Sequence, residues 1–274
     1  MPELPEVQTV VNTLAPAVTG QRILGVLLGR RDILTPEDFA LESHLIGRQI
    51  HAVERRAKRI IFTLDNSNRF YIHLGMSGRL GLSAISDELK PHTHLRIQLG
   101  RPAGWEIRFT DPRRFGGIWW LGQAEPESDA IGPEPLEIRP AQLAKRLSAT
   151  TRAIKNALLD QRLIAGLGNI YVDESLFEAG IHPETPADEL TTAQVARLTK
   201  SIKLTLKRAL RHRGSTLRDY RDAAGNPGDF QNLHRVYGRE AKPCKQCKKP
   251  ILRIVMGGRS THFCAYCQPH PKEL

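Results

Sequence analysis

Two clusters in this 274-residue chain could do chemistry by residue type and spacing alone. The first is the start of the chain. Pro2 follows Met1, and removal of the methionine would expose a secondary amine. An ordinary α-amino group titrates at roughly 7.7–8.0, well below lysine, so a useful fraction is uncharged and nucleophilic near neutral pH. Such an amine can attack an aldehyde-level carbon and form an iminium, which then serves as an electron sink. Glu3 and Glu6 lie beside it. They could move protons there, although carboxylates at the start of a helix are also ordinary partners of its dipole.

The second cluster is Cys244-x2-Cys247 and Cys264-x2-Cys267, separated by 16 residues. Two such knuckles can present four thiolates tetrahedrally to one Zn²⁺. A closed four-sulfur set leaves no open coordination position, which makes the expected zinc structural rather than a Lewis acid. Two disulfides are the competing reading, and a reducing compartment disfavours them. Ile251–Met256 and Thr261–Phe263 read as a hairpin turning at Gly257-Gly258, which places Arg259 at its tip.

Other residues are ambiguous in isolation. Lys58, in Arg55-Arg-Ala-Lys-Arg59, reads as part of a solvated basic run. Met76 and Phe115 read as core residues, except that Gly75, Ser77 and Gly78 surround the first and Gly116-Gly117 follow the second. Gly166-Leu-Gly-Asn169 lacks the third glycine and the βαβ setting of a nucleotide loop.

The elements that must position these groups fall into three stretches. Leu4, Val7, Val10, Val11 and Leu14 predict an amphipathic helix over about 4–15, with Pro5 in its first turn and Pro16 at its exit. Short β-rich segments follow at Arg22–Leu28, Gln49–Glu54, Arg59–Leu64, Arg69–Leu74, Thr93–Leu99, Trp105–Thr110 and Gly117–Leu121, which suits an antiparallel sandwich or barrel. After a Pro- and Glu-rich linker the pattern turns helical, at Pro140–Leu147, Ala153–Leu159, Asn169–Ala179 and Thr192–His212. The expected domains are 1–122, a linker at 123–140, a helical domain at 141–235 and a cysteine module at 236–274. The net charge of +11 favours a polyanionic partner, with nucleic acid ahead of a membrane surface. Residues 211–274 hold 13 Lys/Arg against 5 Asp/Glu, so the C-terminal quarter should meet that partner. No window approaches the roughly 20 apolar residues of a membrane span, and the start is no signal peptide, so a cytosolic protein is expected.

Met1-Pro-Glu-Leu-Pro-Glu-Val7, Arg55-Arg-Ala-Lys58, His73-Leu-Gly-Met76, Asp111-Pro-Arg-Arg-Phe-Gly116, Gly132-Pro-Glu-Pro-Leu136, Gly166-Leu-Gly-Asn-Ile-Tyr171, Gly180-Ile-His-Pro183 and the four cysteines together resemble the bacterial formamidopyrimidine-DNA glycosylase family. The likeness touches both ends and most of the middle of the chain, with 29–48, 84–91 and 184–210 adding little. It implies an α+β fold: an N-terminal antiparallel β-sandwich with an N-terminal helix, then a helical domain with a helix–two-turns–helix element and a zinc-finger hairpin. It also implies a bifunctional glycosylase and abasic-site lyase acting on damaged double-stranded DNA, with one structural Zn²⁺, no nucleotide cofactor and no membrane partner. A monomer in the bacterial cytoplasm, associated with the nucleoid through DNA, is the accompanying expectation.

By the same resemblance Pro2 is the nucleophile, Glu3 the general acid/base and Glu6 a supporting carboxylate. Lys58 is assigned to a phosphate near the lesion and to proton transfer in β-elimination, and Arg259 to the flanking phosphates and to δ-elimination, so both count with Pro2, Glu3 and Glu6 as catalytic. Met76, Arg113 and Phe115 match a trio that fills the hole left when a nucleotide is flipped out. His92, Lys155 and Asn169 match phosphate contacts, and Arg218–Gln231 matches a segment that closes over the everted base. The chain departs from the family pattern at Gln8 (commonly Glu), Pro91 and Thr93 (Lys and Asp), Thr150 (often basic) and Arg218 (often Lys). Endonuclease VIII, which prefers oxidised pyrimidines, is the near rival, and Leu4 speaks against it because that enzyme usually carries glycine there. A non-catalytic zinc-ribbon DNA binder is the rival from another class, and it gives no reason for Pro2-Glu3 and Lys58 to occur together.

Overall fold

A computed structural model describes residues 2–101, 103–124 and 131–270. Met1 and part of the expected linker at 123–140 lie outside the described residues. The chain forms two units, Met1–Ser128 with His212–Asp229, and Asp129–Arg211 with Phe230–Leu274.

In the first unit, α1 (Leu4–Val18) buries Leu4, Val7, Val10, Val11, Leu14 and Val18 along one face. It runs through Pro16 instead of ending there. A proline in the last turn removes only one bond, and the turn still closes with Thr19 N–H donating to the Ala15 carbonyl at 3.0 Å while Val18 packs in the core.

Four strands, β1 (Ile23–Leu28), β7 (Thr93–Leu99), β8 (Trp105–Thr110) and β6 (Arg79–Ala84), pair antiparallel in the order β1-β7-β8-β6. A second sheet has the order β2-β9-β5-β4-β3, built from Leu34–Thr35, Gly117–Gly122, Arg69–His73, Arg59–Leu64 and Ile50–Arg56. Its β2–β9 pair is parallel, the one exception to the antiparallel expectation in this unit. Apolar residues of both sheets and of α1 share one core, including Phe62 and Phe70 stacked at 4.7 Å. The short helix α2 (Leu41–Leu45) and strand β6 are absent from the sequence expectation. Gly78 and Gly81 make Arg79–Ala84 look like a loop.

The segment 212–229 belongs with this unit, although chain order placed it in the helical domain. Ser215 N–H donates to Glu6, Ala223 N–H to the Thr13 hydroxyl, and Leu82 N–H to the Ala223 carbonyl. A side chain at Gly81 would meet that carbonyl at 3.0 Å.

The second unit holds α3 (Pro140–Leu147), α4 (Ile154–Leu159), α5 (Asn169–Ala179) and α6 (Thr192–Arg211). It also holds the hairpin β10 (Leu252–Met256) and β11 (Arg259–Phe263). Gly180 ends α5 in the left-handed region at φ 63°. The cysteine module is thus part of one unit with the helices rather than a separate body.

Candidate active site

Pro2 and Glu3 sit just before α1 and are both buried, with Glu3 only 2% exposed. Glu6 explains how this end is fixed. One carboxylate oxygen accepts Glu3 N–H at 2.8 Å and the other accepts Ser215 N–H at 2.7 Å. The Tyr220 hydroxyl donates to the Glu6 carbonyl at 3.3 Å, and burial together with the Glu6 carboxylate holds that phenol well above its usual titration range. Gly214, at φ +77°, approaches so closely that a Cβ would lie 2.5 Å from the Glu6 carboxylate. An acidic group at a helix start can be a generic dipole partner, but Glu6 is a buried clamp between α1 and 213–220.

Lys58 occupies a two-residue turn between β3 and β4, where Arg56 pairs with Arg59 and Ala57 takes φ 55°. It is 8% exposed, so the solvated-run reading fails. Arg55 holds the turn by donating to the Ala57 carbonyl at 2.9 Å, and its Nε donates to Gln8 Oε1 of α1 at 2.8 Å. The amide of Gln8 therefore links the Lys58 turn to the helix that carries Pro2 and Glu3. His73, on the adjacent strand, accepts Gly75 N–H on Nδ1 at 3.1 Å, which puts its proton on Nε2. Burial, followed by the Lys58 and Arg59 charges, lowers its pKa to about 4.

His234, in the other unit, is likewise pulled down to about 4, chiefly by burial. Below the ordinary value of 6.5 the unfolded chain gains a proton on each ring that the folded protein does not take up until about 4. Their stabilising contribution is therefore present above 6.5 and lost as pH falls through that window. Melting temperature should drop between pH 6.5 and 4, less steeply in His73→Gln. An identical slope in that variant refutes the assignment.

Met76 and Phe115 are 42% and 56% exposed, so neither is the core residue that its type suggests. Their two loops are joined by Asp111, which is fully buried. It accepts the Ser77 hydroxyl at 2.6 Å, Gly116 N–H at 2.8 Å and Arg113 N–H at 3.3 Å. Gly75 is required because a Cβ there would lie 2.3 Å from the backbone of Phe115 and Gly116. The Arg113 guanidinium lies 4.7 Å over the Phe115 ring. Exposed His92, at φ 65°, accepts Asp111 N–H on its carbonyl. A groove of about 1030 Å³ in the same unit is lined by Ser77, Arg79, His92, Arg113, Asp219 and Asp222, among others. Asp222 closes the 222–226 turn by accepting Ala224 and Asn226 N–H.

In the second unit the four cysteine sulfurs converge, with Cys244–Cys267 at 3.9 Å, Cys247–Cys264 at 3.4 Å and all four within 4.8 Å. None is in a disulfide. Zinc–sulfur bonds of about 2.3 Å place tetrahedral sulfurs roughly 3.8 Å apart, so the cluster fits one Zn²⁺. The buried apolar residues clustered with the cysteines are Phe177, Val236 and Ile251, a small core on which to hold a hairpin without metal. Replacing Cys247 with Ser should abolish the zinc and the hydrogen-exchange protection of the β10–β11 amides while leaving the sheets of the first unit protected. Retained hairpin protection would show the metal to be dispensable.

Gly257 and Gly258, at φ 54° and 73°, make the two-residue turn that puts exposed Arg259 at the tip. Asn169, first residue of α5, donates from Nδ2 to the Ser260 carbonyl at 2.9 Å. Lys155 donates to the same carbonyl at 2.8 Å and to Asp173 at 2.6 Å. Lys155, which the resemblance assigns to a phosphate contact, is fully buried. Its cation is placed beneath the fingertip rather than on it, because buried Asp173 is its counter-ion. Asp173 also accepts His262 N–H at 2.9 Å, and neighbouring Glu174 accepts the N–H groups of Arg235, Val236 and Tyr237. Asp173 and Glu174 gave no separate signal in the sequence, since a lone carboxylate is common and their partners at His262 and 235–237 are distant in the chain.

The models describing the formamidopyrimidine-DNA glycosylase N-terminal domain, its H2TH domain and the zinc finger found in FPG and IleRS match residues 1–118, 131–221 and 241–269. Formamidopyrimidine-DNA glycosylase of Syntrophomonas wolfei is 43% identical, covering 98% of this chain and 100% of that one. The Bacillus subtilis protein of that name is 42% identical, covering 98% and 99%. Among solved structures, a Lactococcus lactis Fpg bound to DNA containing an abasic site superposes with a TM-score of 0.91 at 34% identity, covering 98% and 100%. The Thermus thermophilus MutM structure gives 0.87 at 39%, covering 97% and 98%. No helix among the described residues is long and apolar enough to cross a membrane. With three successive domain models matched in order and relatives aligned over nearly the full length, the chain belongs to the formamidopyrimidine-DNA glycosylase family of DNA-repair enzymes.

Proposed function

We propose that this enzyme excises oxidised purines, 8-oxoguanine opposite cytosine and formamidopyrimidines, from duplex DNA and then nicks the abasic strand by β,δ-elimination. The observation that carries this reading is the buried Pro2-Glu3 end of α1, held by the Glu6 clamp. Once Met1 is removed, the Pro2 nitrogen attacks C1′ and the bond from C1′ to the base breaks, the base leaving with a proton. Opening of the sugar ring, with Glu3 moving a proton at the ring oxygen, leaves an iminium between Pro2 and C1′. The iminium acidifies the C2′ hydrogen; its loss expels the 3′ phosphate, and a second elimination expels the 5′ phosphate. Lys58, a buried cation tied through Arg55 and Gln8 to α1, suits a phosphate or a proton transfer beside that carbon.

Arg259 and His92 are exposed groups suited to phosphates, and the planar guanidinium fork of an arginine favours binding over proton donation. Exposed Met76, Arg113 and Phe115 would enter the duplex where the nucleotide leaves it, at a cost of roughly a few kcal/mol of stacking per step. Asn169 acts by holding the Ser260 carbonyl next to Arg259.

Borohydride reduction during turnover on an 8-oxoguanine:cytosine duplex should trap a covalent adduct whose peptide maps to Pro2. Absence of an adduct from a chain verified to begin at Pro2 and to bind that duplex would overturn the amine mechanism for this lesion. An adduct formed only on an oxidised-pyrimidine duplex would overturn the purine assignment and keep the amine.

A further inference from the structure

Outside the four-cysteine cluster, one other convergence of metal-ligating side chains occurs among the described residues: His182, Glu184 and His270, whose ligand atoms lie within 4.8 Å of one another. All three belong to the second unit. Glu184 Oε2 lies 4.0 Å from His270 Nε2 and 3.9 Å from His182 Nδ1, which accepts Glu184 N–H at 3.3 Å, a long bond that a metal on this nitrogen would replace. Ligands about 2.0–2.2 Å from a zinc-sized ion stand roughly 3.4 Å apart at tetrahedral angles. Closing a few tenths of an ångström requires only small rotations of Glu184 and His270, whose side chains are 46% and 32% exposed.

The backbone beneath the triad is already fixed. Thr185 N–H donates to the His182 carbonyl at 3.1 Å, while Ile154 and Lys155 N–H donate to the carbonyls of Thr185 and Pro183. The chain carrying His270 is tied to the chain carrying His182 by Gln268. Its amide donates to the Ile181 carbonyl at 2.8 Å, and its Oε1 accepts Cys264 N–H at 3.0 Å. The His182 ring is held edge-on between Phe263 at 4.7 Å and His270 at 4.8 Å. Two imidazoles and a carboxylate on pre-set backbone form a borderline N₂O set, suited to Zn²⁺ and its neighbours rather than to Mg²⁺ or Ca²⁺.

We infer that His182, Glu184 and His270 form a second divalent transition-metal site beside the zinc finger. Three protein ligands leave a position for water, unlike the closed four-sulfur site. A metal there clips the chain leaving Cys267 onto the turn after α5, so that the finger responds to zinc supply through a site other than its own cysteines.

The test uses the zinc-loaded full chain, titrated with Co²⁺ and separately with Zn²⁺ after excess metal is removed. One further equivalent of Co²⁺ should bind with visible d–d bands but without the near-ultraviolet sulfur-to-cobalt charge-transfer band. The Zn²⁺ titration should show the same extra equivalent by elemental analysis. His270→Ala and Glu184→Gln should each weaken that binding by about tenfold or more, with the thiolate-bound zinc retained. The inference is overturned by no further equivalent. It is equally overturned by one that carries the sulfur band and displaces zinc, or by one that binds both variants as tightly as the parent.

Discussion

Glu3→Gln lowers the rate of base release by about 10²–10⁴-fold, the usual size of a lost general acid/base, while the protein still binds lesion duplex. The substitution keeps the size and hydrogen-bonding shape of a side chain that is 2% exposed. The Glu6 carboxylate that receives Glu3 N–H at 2.8 Å is untouched, so the entry to α1 stays in place. What disappears is a group next to Pro2 in the chain that can give up and recover a proton. The competing account is that Glu3 merely caps the helix, in which case the loss appears in stability, typically about 0.5–2 kcal/mol for a cap, and not in turnover. Single-turnover base release measured beside thermal melting separates the two. A slow enzyme of normal stability supports the proton-transfer role, and a normal rate with a lowered melting temperature removes it. Acetylation of the Pro2 nitrogen, which takes away its nucleophilic lone pair, should abolish both base release and strand nicking in the same assay.

Lys155→Met destabilises the second unit by about 3–5 kcal/mol, because it strands the fully buried Asp173 carboxylate without its counter-ion. A phosphate-gripping lysine behaves differently. Its removal leaves stability alone, weakens binding alike on all sequences and reduces the salt dependence of affinity by about one charge. Chemical denaturation and a salt titration of duplex binding therefore give opposite patterns for the two roles. The double variant Lys155→Met/Asp173→Asn should recover part of the lost stability, since a neutral amide no longer demands the cation and its oxygen can still accept His262 N–H. Unchanged stability in the single variant, with a flatter salt slope, would return Lys155 to the phosphate contacts. The expected result makes Lys155 a positioning residue: with Asn169 it holds the Ser260 carbonyl, and so sets where Arg259 stands.

Both experiments turn on contacts that differ in how far they could be read along the chain. The paired cysteine spacing, the Gly257-Gly258 turn and the amine latent in Pro2 are local facts, complete within a few residues. Helices α3 and α5 likewise have the limits that their spacing, Pro140 and Gly180 dictate. Strands β4, β7 and β8 follow from alternation and β-branched content in the same way. Where local signals conflicted, tertiary packing decided. Strand β6 forms despite Gly81 because the Ala223 backbone lies against it, and α1 continues past Pro16 because Val18 has a core to enter.

The sequence by itself therefore determined the local features: a latent amine at Pro2, carboxylates beside it, four cysteines spaced for one metal with an arginine at the hairpin tip, and a net positive charge. Only the tertiary structure decided which partners each charge meets. Neither Lys58, within a basic run, nor Lys155, between Ile154 and Asn156, shows its partners in the sequence, yet one sits in a turn linked to α1 and the other is locked under the fingertip by Asp173. Asp111 and Glu6 are ordinary carboxylates until folding delivers the Ser77 hydroxyl from 34 residues away and the Ser215 N–H from 209 residues away in the chain. A buried charge takes its role from its partners, and partners brought together by packing rather than by chain proximity leave no periodic or spacing signal to read.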